Sequence, residues 1–297
     1  MASTTISPKQ VAELRARTGA GMMDCKKALE EANGDMEKAA ELLRARGIAK
    51  AEKRAGRSAA QGLIAVETRP NGSAAAMVEL DCETDFVART EDFQNLLKGL
   101  VAHVAARMPA GINNQAFEDP QFLEAPYQGQ PEKTVAQVVK ETSGKTGEAV
   151  VARRYAHFAP SNGVVGHYLH HNQQVGVLVE LTGAAGDAAV ALARDIALHI
   201  ASADPLAVSA SDIPADVIER ERRIAEEQVA AEGKPENIRG KIVDGKIKKF
   251  VAERTLLEQP FVKDDSKSVG QLIKDAAGSV GGTVSVARFA RFKVGEA

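Results

Sequence analysis

Residues 75–88 read AAMVELDCETDFVA, and within them a strand-like segment passes into a polar loop that carries one phenylalanine. The turn signal Pro-Asn-Gly at 70–72 precedes this segment and predicts a hairpin between 62–68 and 74–80. After the loop, apolar residues recur at helical spacing over 91–107. The stretch therefore predicts a strand, a loop and an amphipathic helix. Loops held between rigid elements are where binding residues concentrate.

A second copy of this pattern provides an internal control. Val-Glu-Leu at 78–80 leads to His103, the same tripeptide at 179–181 leads to His199, and each histidine has a proline six residues later. The histidine follows the leucine by 23 residues in the first copy and by 18 in the second. The five extra residues fall in the loop that contains 84–87. This insertion indicates a function in the first copy, whereas the alternative is an ordinary connection whose phenylalanine folds back into the core.

Composition predicts a soluble protein of the reducing cytoplasm. The chain has 297 residues, 44% hydrophobic and 26% charged, which allows about two domains with a real core. A net charge of −2 argues against a general nucleic-acid binder, and no direct DNA binding is expected. Cys25 and Cys82 are far apart and form no CxxC pair, so neither a disulfide framework nor a cysteine zinc site is expected. No signal sequence or apolar run of membrane-spanning length is evident, so no membrane partner is expected.

The first 47 residues predict three short helices. Signals for helix starts and ends stand at Ser7, at Thr18 to Gly21, at Asn33-Gly34, at Asp35 and at Gly47. The second helix carries Met22, Cys25 and Leu29 at helical spacing. Such a small bundle buries little surface and would be only marginally stable alone. It is therefore expected to act as a docking module.

Two long motifs resemble signatures of the translation elongation factor Ts family. LRARTGAGMMDCKKAL at 14–29 resembles the N-terminal signature, and ELDCETDFVAR at 79–89 resembles the second. Further likeness lies in QPFV at 259–262 and VGQLI at 269–273, so the resemblance covers nearly the whole chain in the right order. Members of this family are guanine-nucleotide exchange factors for elongation factor Tu, and they carry no nucleotide themselves. The resemblance thus implies a non-enzymatic protein without a cofactor.

The resemblance implies that the inserted loop contacts the GTPase domain of elongation factor Tu, in its GDP-bound and nucleotide-free forms. The implied contact residues are Thr84, Asp85, Phe86 and Val87. In the family the phenylalanine wedges between helices of the partner, and the neighbouring aspartate adds polar contacts. The result is displacement of the Mg²⁺ ion that bridges phosphates and protein, which weakens nucleotide binding.

Secondary contacts with the partner are also implied. They fall on Thr18, Gly19, Met22, Met23 and His170. The competing interpretation is a plain interhelical turn at 18–21 and a small core for the two methionines. The alignment has an extra residue within 166–175, so His171 remains an alternative to His170.

The histidines at 167, 170 and 171 also raise the question of a metal site. On a strand the first and third would share a face while the second points away. No carboxylate or cysteine lies nearby in the sequence to complete a ligand set, so no metal site is predicted.

The body predicts an α+β fold with mostly antiparallel sheets and two similar halves. Strands at 149–158, 164–171 and 175–182 are assigned to the second half, with a closing strand at 284–294 whose apolar residues share one face apart from Arg288. The predicted division is a three-helix (UBA-like) module with a basic linker, a core part with the inserted loop and a second core part. Their bounds are 1–55, 56–145 and 146–297.

A charged insertion at 214–257 predicts a protruding antiparallel helical hairpin. Val217, Ile218, Ile224 and Val229 are expected to oppose Ile238, Ile242, Ile247, Phe250 and Val251. In the resembling family this region is a coiled-coil projection that contacts another factor molecule or the partner. The alternative is a simple solvated arm. Some relatives also continue into a terminal helical module, so 271–277 is expected to be structural only.

One short motif raises the question of a nucleotide-hydrolysing activity. Gly-Lys-Thr at 144–146 lacks the first glycine of a phosphate-binding loop, and no base-recognition motif accompanies it, so the chain is not expected to be a GTPase.

Basic residues at 50, 53, 54 and 57 are interpreted as a solvated linker. The runner-up function is a ribosome- or RNA-associated binding protein without exchange activity, which would use this stretch and the charged hairpin.

Overall fold

Three helices open the chain, and the computed structural model gives them as α1 Pro8–Thr18, α2 Met22–Glu31 and α3 Met36–Glu52. Throughout, the residues described are 6–54, 56–233 and 235–296. Ser7 and Gln10 form a capping box at the start of α1, and Gly19 ends it with a left-handed backbone at φ 69°. The side chain of Asp35 accepts two amide hydrogen bonds at the start of α3. The predicted three-helix module is confirmed.

The prediction that the third helix ends at Gly47 is wrong. The helix α3 continues to Glu52, because this glycine serves a close approach to α7 (Val135–Thr146) rather than a helix end. A Cβ atom on Gly144 would lie only 2.9 Å from the Cα of Gly47. The three-helix module is therefore packed against the body.

Residues of the predicted basic linker bind groups elsewhere in the chain. Lys50 forms a 3.1 Å ion pair with Asp24, and Arg54 donates to the carbonyl of Ser143 at 3.2 Å. One end of the predicted module, residue 55, lies outside the described residues. The Lys50 ion pair lies within the module, and the Arg54 contact adds to the attachment between the module and the body.

The first half of the body begins with a hairpin and ends with a strand that pairs beside it. Its elements are β1 Gln61–Thr68, β2 Ala75–Cys82, α4 Asp85–Ala88, α5 Glu91–Arg107, β3 Gly111–Asn113, α6 Pro120–Leu123, β4 Pro126–Tyr127, β5 Gln130–Thr134, α7 and β6 Val150–Phe158. The main sheet has the antiparallel order β1-β2-β6-β3. The predicted hairpin and the helix at 91–107 are confirmed.

The second half repeats this order and adds a helical arm. Its elements are β7 Gly163–Leu169, β8 Val175–Thr182, α8 Gly186–Ala203, α9 Ala215–Ala231, α10 Glu236–Arg254, β9 Pro260–Phe261, β10 Asp264–Ser268, α11 Val269–Ala276 and β11 Ser285–Lys293. The sheet order β11-β8-β7 places the last strand beside the second hairpin strand, as β6 lies beside β2. The predicted α+β fold with a duplicated core and antiparallel sheets is confirmed.

The two sheets pack face to face, and the long helices cover their outer faces. Buried side chains between the sheets come from both halves and include Ile64, Met77, Ala156, Phe158, Val165, Leu178, Ala290 and Phe292. Separate clusters lie outside each sheet, one under α5 and α7 and one under α8 and α11. The body is thus a helix–sheet–sheet–helix sandwich.

The duplicated histidines have equivalent roles in the two halves. Nδ1 of His103 accepts the amide hydrogen of Gln128 at 3.3 Å, and Nδ1 of His199 accepts that of Val262 at 3.1 Å. Both rings are buried, and this burial lowers the pKa of each. Each histidine therefore fastens a small hairpin to the end of the long helix of its half.

Two strand predictions are wrong, because each depends on a feature that adjacent residues do not encode. The segment 149–158 was predicted for the second half, but it forms β6 and pairs with β2. The closing strand was predicted to present one apolar face, but a β-bulge at Ala287 reverses its alternation, so Val286 and Phe292 enter different clusters. Neither long-range pairing nor a bulge leaves a local signal. The predicted boundary between the two core parts at 145/146 stays a prediction, although β6, which lies after it, pairs with β2 of the first half.

The helices α9 and α10 form the predicted antiparallel arm. Its buried seam consists of Ala225, Val229, Val243 and Ile247. Ile224 and Ile238, predicted to lie in the seam, are exposed instead. Lys234, in the predicted turn, lies outside the described residues. No helix among the described residues has the length and apolar character needed to cross a membrane.

A carboxylate pair in β2 predicts a pH-dependent stability. Glu79 and Asp81 are both buried, and one oxygen of each, Oε1 and Oδ1, has no hydrogen-bond donor among the described residues. Burial is the main cause that raises the pKa of Glu79 to about 7, against the opposing charge of Arg154. The folded protein therefore binds more protons than the unfolded chain between pH 4.5 and about 7, so this contribution to stability is lost as pH rises through that window.

We expect wild type to lose on the order of 1–2 kcal/mol of unfolding free energy relative to Glu79→Gln as pH rises from 5 to 7.5. Urea denaturation at several pH values measures this difference. Glu180→Gln is the matched control, since Glu180 occupies the equivalent position in β8 but Thr182 stands where the second carboxylate would be. A difference between wild type and Glu79→Gln that does not change with pH would contradict the prediction.

Candidate functional site

The segment predicted as a loop between strand and helix contains a single helical turn, α4. Thr84 caps this turn, and its Oγ1 accepts the amide hydrogen of Val87 at 3.4 Å. Val87 and Ala88 point into the core, whereas Asp85 and Phe86 do not. The second copy passes from β8 to α8 without such a turn. The inserted residues predicted from the repeat are therefore the ones that form α4.

Phe86 is the most exposed of the large apolar side chains in the described residues, at 77%. The alternative that this ring folds back into the core is therefore wrong. An aromatic ring in water loses the burial energy that normally holds it inside, so the fold gains little from it. The turn fixes its backbone while leaving the ring free to contact another molecule.

A reciprocal pair of glutamates fixes the base of this turn. The carboxylate of Glu148 accepts the Thr84 amide at 2.9 Å and the Thr84 hydroxyl at 2.7 Å. In return, the carboxylate of Glu83 accepts the Ala149 amide at 2.8 Å and the guanidinium of Arg57 at 3.3 Å. The amide of Ala149, assisted by Arg57, holds the pKa of Glu83 below its ordinary value. We call these contacts the glutamate clasp.

Cys82 adds a neutral contact beneath the clasp. Its Sγ donates to the carbonyl of Thr84 at 3.1 Å, and the side chain is completely buried. Burial raises the pKa of this thiol to about 12, so it stays protonated and unreactive near neutral pH.

Asp85 forms a 2.7 Å ion pair with Arg89 at the surface beside the exposed ring. Such exposed pairs contribute little to stability. The carboxylate can therefore exchange this contact for one with another molecule at small cost.

The exposed methionines of α2 lie next to the turn that ends α1. Met22 is 56% exposed and Met23 is 63% exposed, so the interpretation of both as a small core is wrong. The buried stripe of α2 consists of Cys25, Ala28 and Leu29. Thr18 and Gly19 form the interhelical turn: the hydroxyl of Thr18 donates to the carbonyl of Leu14, and Gly19 is left-handed.

A chain of contacts connects this interhelical turn with the start of α5. A Cβ atom on Gly19 would lie 4.0 Å from Cγ of Lys145, and Nζ of that lysine lies 3.2 Å from the carboxylate of Asp92. Asp92 belongs to the first turn of α5, directly after α4. The structure thus brings 18–19 and α4 to the same end of α7.

His170 lies on the second half, in the turn 170–174 between β7 and β8. The prediction that 170 and 171 continue the strand is wrong, because β7 ends at Leu169. Nδ1 of His170 lies 2.9 Å from the hydroxyl of Tyr168, and the rings of His170 and His171 are 4.2 Å apart. The described residues hold no group of three His, Cys, Asp or Glu side chains placed to bind a metal ion.

Sequence reasoning missed Glu148 and Arg57 as parts of the site. Glu148 lies 64 residues from Thr84, and Arg57 lies 26 residues from Glu83. The available signal for Glu148 was a lone carboxylate between a helix-ending glycine and a strand. A lone carboxylate at such a position does not show that it contacts Thr84, because that contact exists only in the folded chain.

A family model described as Elongation factor TS matches residues 83–296. The chain belongs to the elongation factor Ts family. It is 44% identical over 291 residues to the elongation factor Ts of Aquifex aeolicus, with 98% of each chain covered. It is 45% identical to that of Nitratiruptor sp., with 98% of this chain and 93% of the relative covered. With Lawsonia intracellularis the identity is 41%, over 98% and 99% of the two chains. The resemblance predicted from the two motifs is confirmed.

The exposure of Phe86 predicts that its removal leaves the fold intact. Phe86→Ala should change the unfolding free energy by no more than about 0.5 kcal/mol, as for other surface substitutions. Phe93→Ala, the matched control on α5, removes a fully buried ring and should destabilise by about 3–5 kcal/mol. Urea denaturation of both variants measures the contrast. A loss of several kcal/mol in Phe86→Ala would show that the ring packs internally.

Proposed function

We propose that this protein is a non-enzymatic guanine-nucleotide exchange factor for elongation factor Tu in the cytoplasm. It binds the GDP-bound and nucleotide-free partner, displaces Mg²⁺ and promotes GDP release so that GTP can bind. The observation that supports this most is an aromatic ring, Phe86, held out into solvent on a backbone that is fixed from below. Family membership supports the choice of partner.

The proposed action is a wedge. Burying a phenylalanine side chain contributes about 1.5–3 kcal/mol, and this energy is available to the complex because the ring is exposed in the free protein. Asp85 adds polar contacts beside the ring. In the partner, a small displacement of the phosphate site shifts Mg²⁺, and the nucleotide loses the charge neutralisation that this ion supplies. No bond is made or broken in this mechanism.

Thermodynamic linkage requires that GDP and the exchange factor weaken each other's binding to elongation factor Tu. If the factor weakens GDP binding by a given ratio, GDP weakens binding of the factor by the same ratio. The nucleotide-free complex is therefore the tightest state in this scheme, and entry of GTP releases the factor.

Secondary contacts in this proposal come from the N-terminal module and from the second half. Met22 and Met23 are exposed and flexible, as side chains at protein interfaces often are. Thr18 and Gly19 contribute by forming the interhelical turn that precedes the two methionines. His170 remains the proposed contact of the second half. Val87 packs inward, so we assign it the anchoring of the turn.

The alternative function, a ribosome- or RNA-associated protein without exchange activity, has less support. Three of the four basic residues expected to serve it bind groups of this chain: Lys50 binds Asp24, Arg54 binds the Ser143 carbonyl and Arg57 binds Glu83. For the helical arm, self-association, partner contact and a simple solvated role stay open proposals. The exposed Ile224 and Ile238 mark the surface that the first two would use.

Release of fluorescent GDP from elongation factor Tu tests the proposal. Wild-type protein should accelerate release, and Phe86→Ala should reduce that acceleration by about tenfold or more, since the wedge contributes about 1.5–3 kcal/mol. Ile112→Ala, which removes another exposed apolar side chain away from α4, is the matched control and should behave as wild type. Release at its spontaneous rate in the presence of wild-type protein would refute the proposal. Strong, steeply salt-dependent RNA binding in that case would favour the alternative.

A further inference from the structure

The glutamate clasp joins two chain segments just beyond the end of the β2–β6 ladder, whose last pair is Cys82 and Val150. Glu148 accepts both donors of Thr84, and Glu83 accepts the amide of Ala149, so each segment supplies a carboxylate to the other. Hydrogen bonds to a charged acceptor are the stronger class in proteins. Thr84 also accepts the Val87 amide, so the network runs from Glu148 through Thr84 into α4.

The second half shows that the strand–helix architecture forms without this clasp. Strand pairing sets Leu80 opposite Ala152 in the first half and Leu181 opposite Val286 in the second. Counting outward from these pairs, Ala184, Ala185 and Gly282 stand at the positions of Glu83, Thr84 and Glu148. The half without the exposed phenylalanine therefore lacks the clasp side chains of Glu83, Thr84 and Glu148.

We propose that Glu148, assisted by Glu83, is a positioning residue that sets the direction in which α4 presents Phe86. This inference rests on the proposed function. An exposed ring has no core contacts of its own to orient it, so its direction depends on the backbone that carries it. Fixing that backbone before binding lowers the ordering cost that binding would otherwise carry.

The clasp also connects α4 to the N-terminal module. Glu148 lies two residues beyond the end of α7, and the Ser143 hydroxyl donates to the carbonyl of Glu148. The carbonyl of Ser143 in turn accepts from Arg54, just after α3, while Gly47 and Gly144 pack closely. The same helix end thus holds the module on one side and α4 on the other.

Affinity for nucleotide-free elongation factor Tu, measured by titration calorimetry, tests the positioning role. We expect Glu148→Ala to weaken binding about tenfold, the equivalent of about one hydrogen bond to a charged group. In the Phe86→Ala background the same change should weaken binding by less than about twofold, because two residues that act through one contact are not additive. Glu141→Gln is the control, since its carboxylate lies on α7 close to Glu148 in the chain but pairs with Lys133 and Arg44 rather than with Thr84; it should bind as wild type.

Two further measurements separate positioning from general damage. Amide hydrogen exchange at Thr84 and Val87 should accelerate in Glu148→Ala while the buried helix α5 keeps its protection. Should Glu148→Ala fail to fold, Glu83→Ala breaks the clasp from the other segment and should show the same non-additivity with Phe86→Ala.

Each outcome bears on one proposal. If wild type accelerates GDP release and Phe86→Ala does not, but Glu148→Ala binds as wild type, the positioning role is wrong and the exchange function stands. Full additivity of Glu148→Ala with Phe86→Ala also overturns it. Failure of wild type to accelerate release refutes the exchange function, and unchanged amide exchange in Glu148→Ala refutes the positioning role independently.

Discussion

Two buried glutamates, one in each half, are held by arginines that also join the two sheets. Glu79 pairs with Arg154 at 2.7 Å, and Glu180 pairs with Arg288 at 2.8 Å. Each guanidinium lies over a phenylalanine of the other sheet, at 4.6 Å from the Phe292 ring centre for the first arginine and at 4.4 Å from that of Phe158 for the second. A buried carboxylate needs such a partner, because an unpaired charge in the interior is expensive. These reciprocal contacts fix how the two sheets face each other.

The same constraint explains the β-bulges and the position of the site. The extra residue in β6 is Arg153 and that in β11 is Ala287, at equivalent points of the two ladders. Each bulge turns the following arginine towards the glutamate of the neighbouring strand. In the first half Arg153 itself pairs with Asp81 at 2.7 Å, which secures the end of β2. The turn α4 begins just beyond that secured end, so a rigid strand carries the exposed ring.

The sequence predicts those features that depend on neighbouring residues. The strand before the loop, the helix from Glu91 to Arg107 and the insertion between the two copies follow from periodicity and spacing. The exposure of Phe86 could not be predicted, because phenylalanine is usually buried and the sequence does not show that Val87 packs inward while Phe86 does not. Glu148 and the pairing of β6 depend on contacts across more than 60 residues, which a local pattern does not encode.

The distribution of satisfied and unsatisfied groups around α4 argues for a partner more strongly than the exposed ring does alone. The amide and the hydroxyl of Thr84, the amide of Ala149 and the thiol of Cys82 all have partners within the chain. These four groups gain nothing further from solvent, while the large aromatic ring of Phe86 beside them is left in water. A chain selected only for stability would reverse this arrangement by burying the ring. Because the second half folds with small residues at the same positions, the exposed ring is an addition to the scaffold, and its burial energy becomes available only when another molecule covers it.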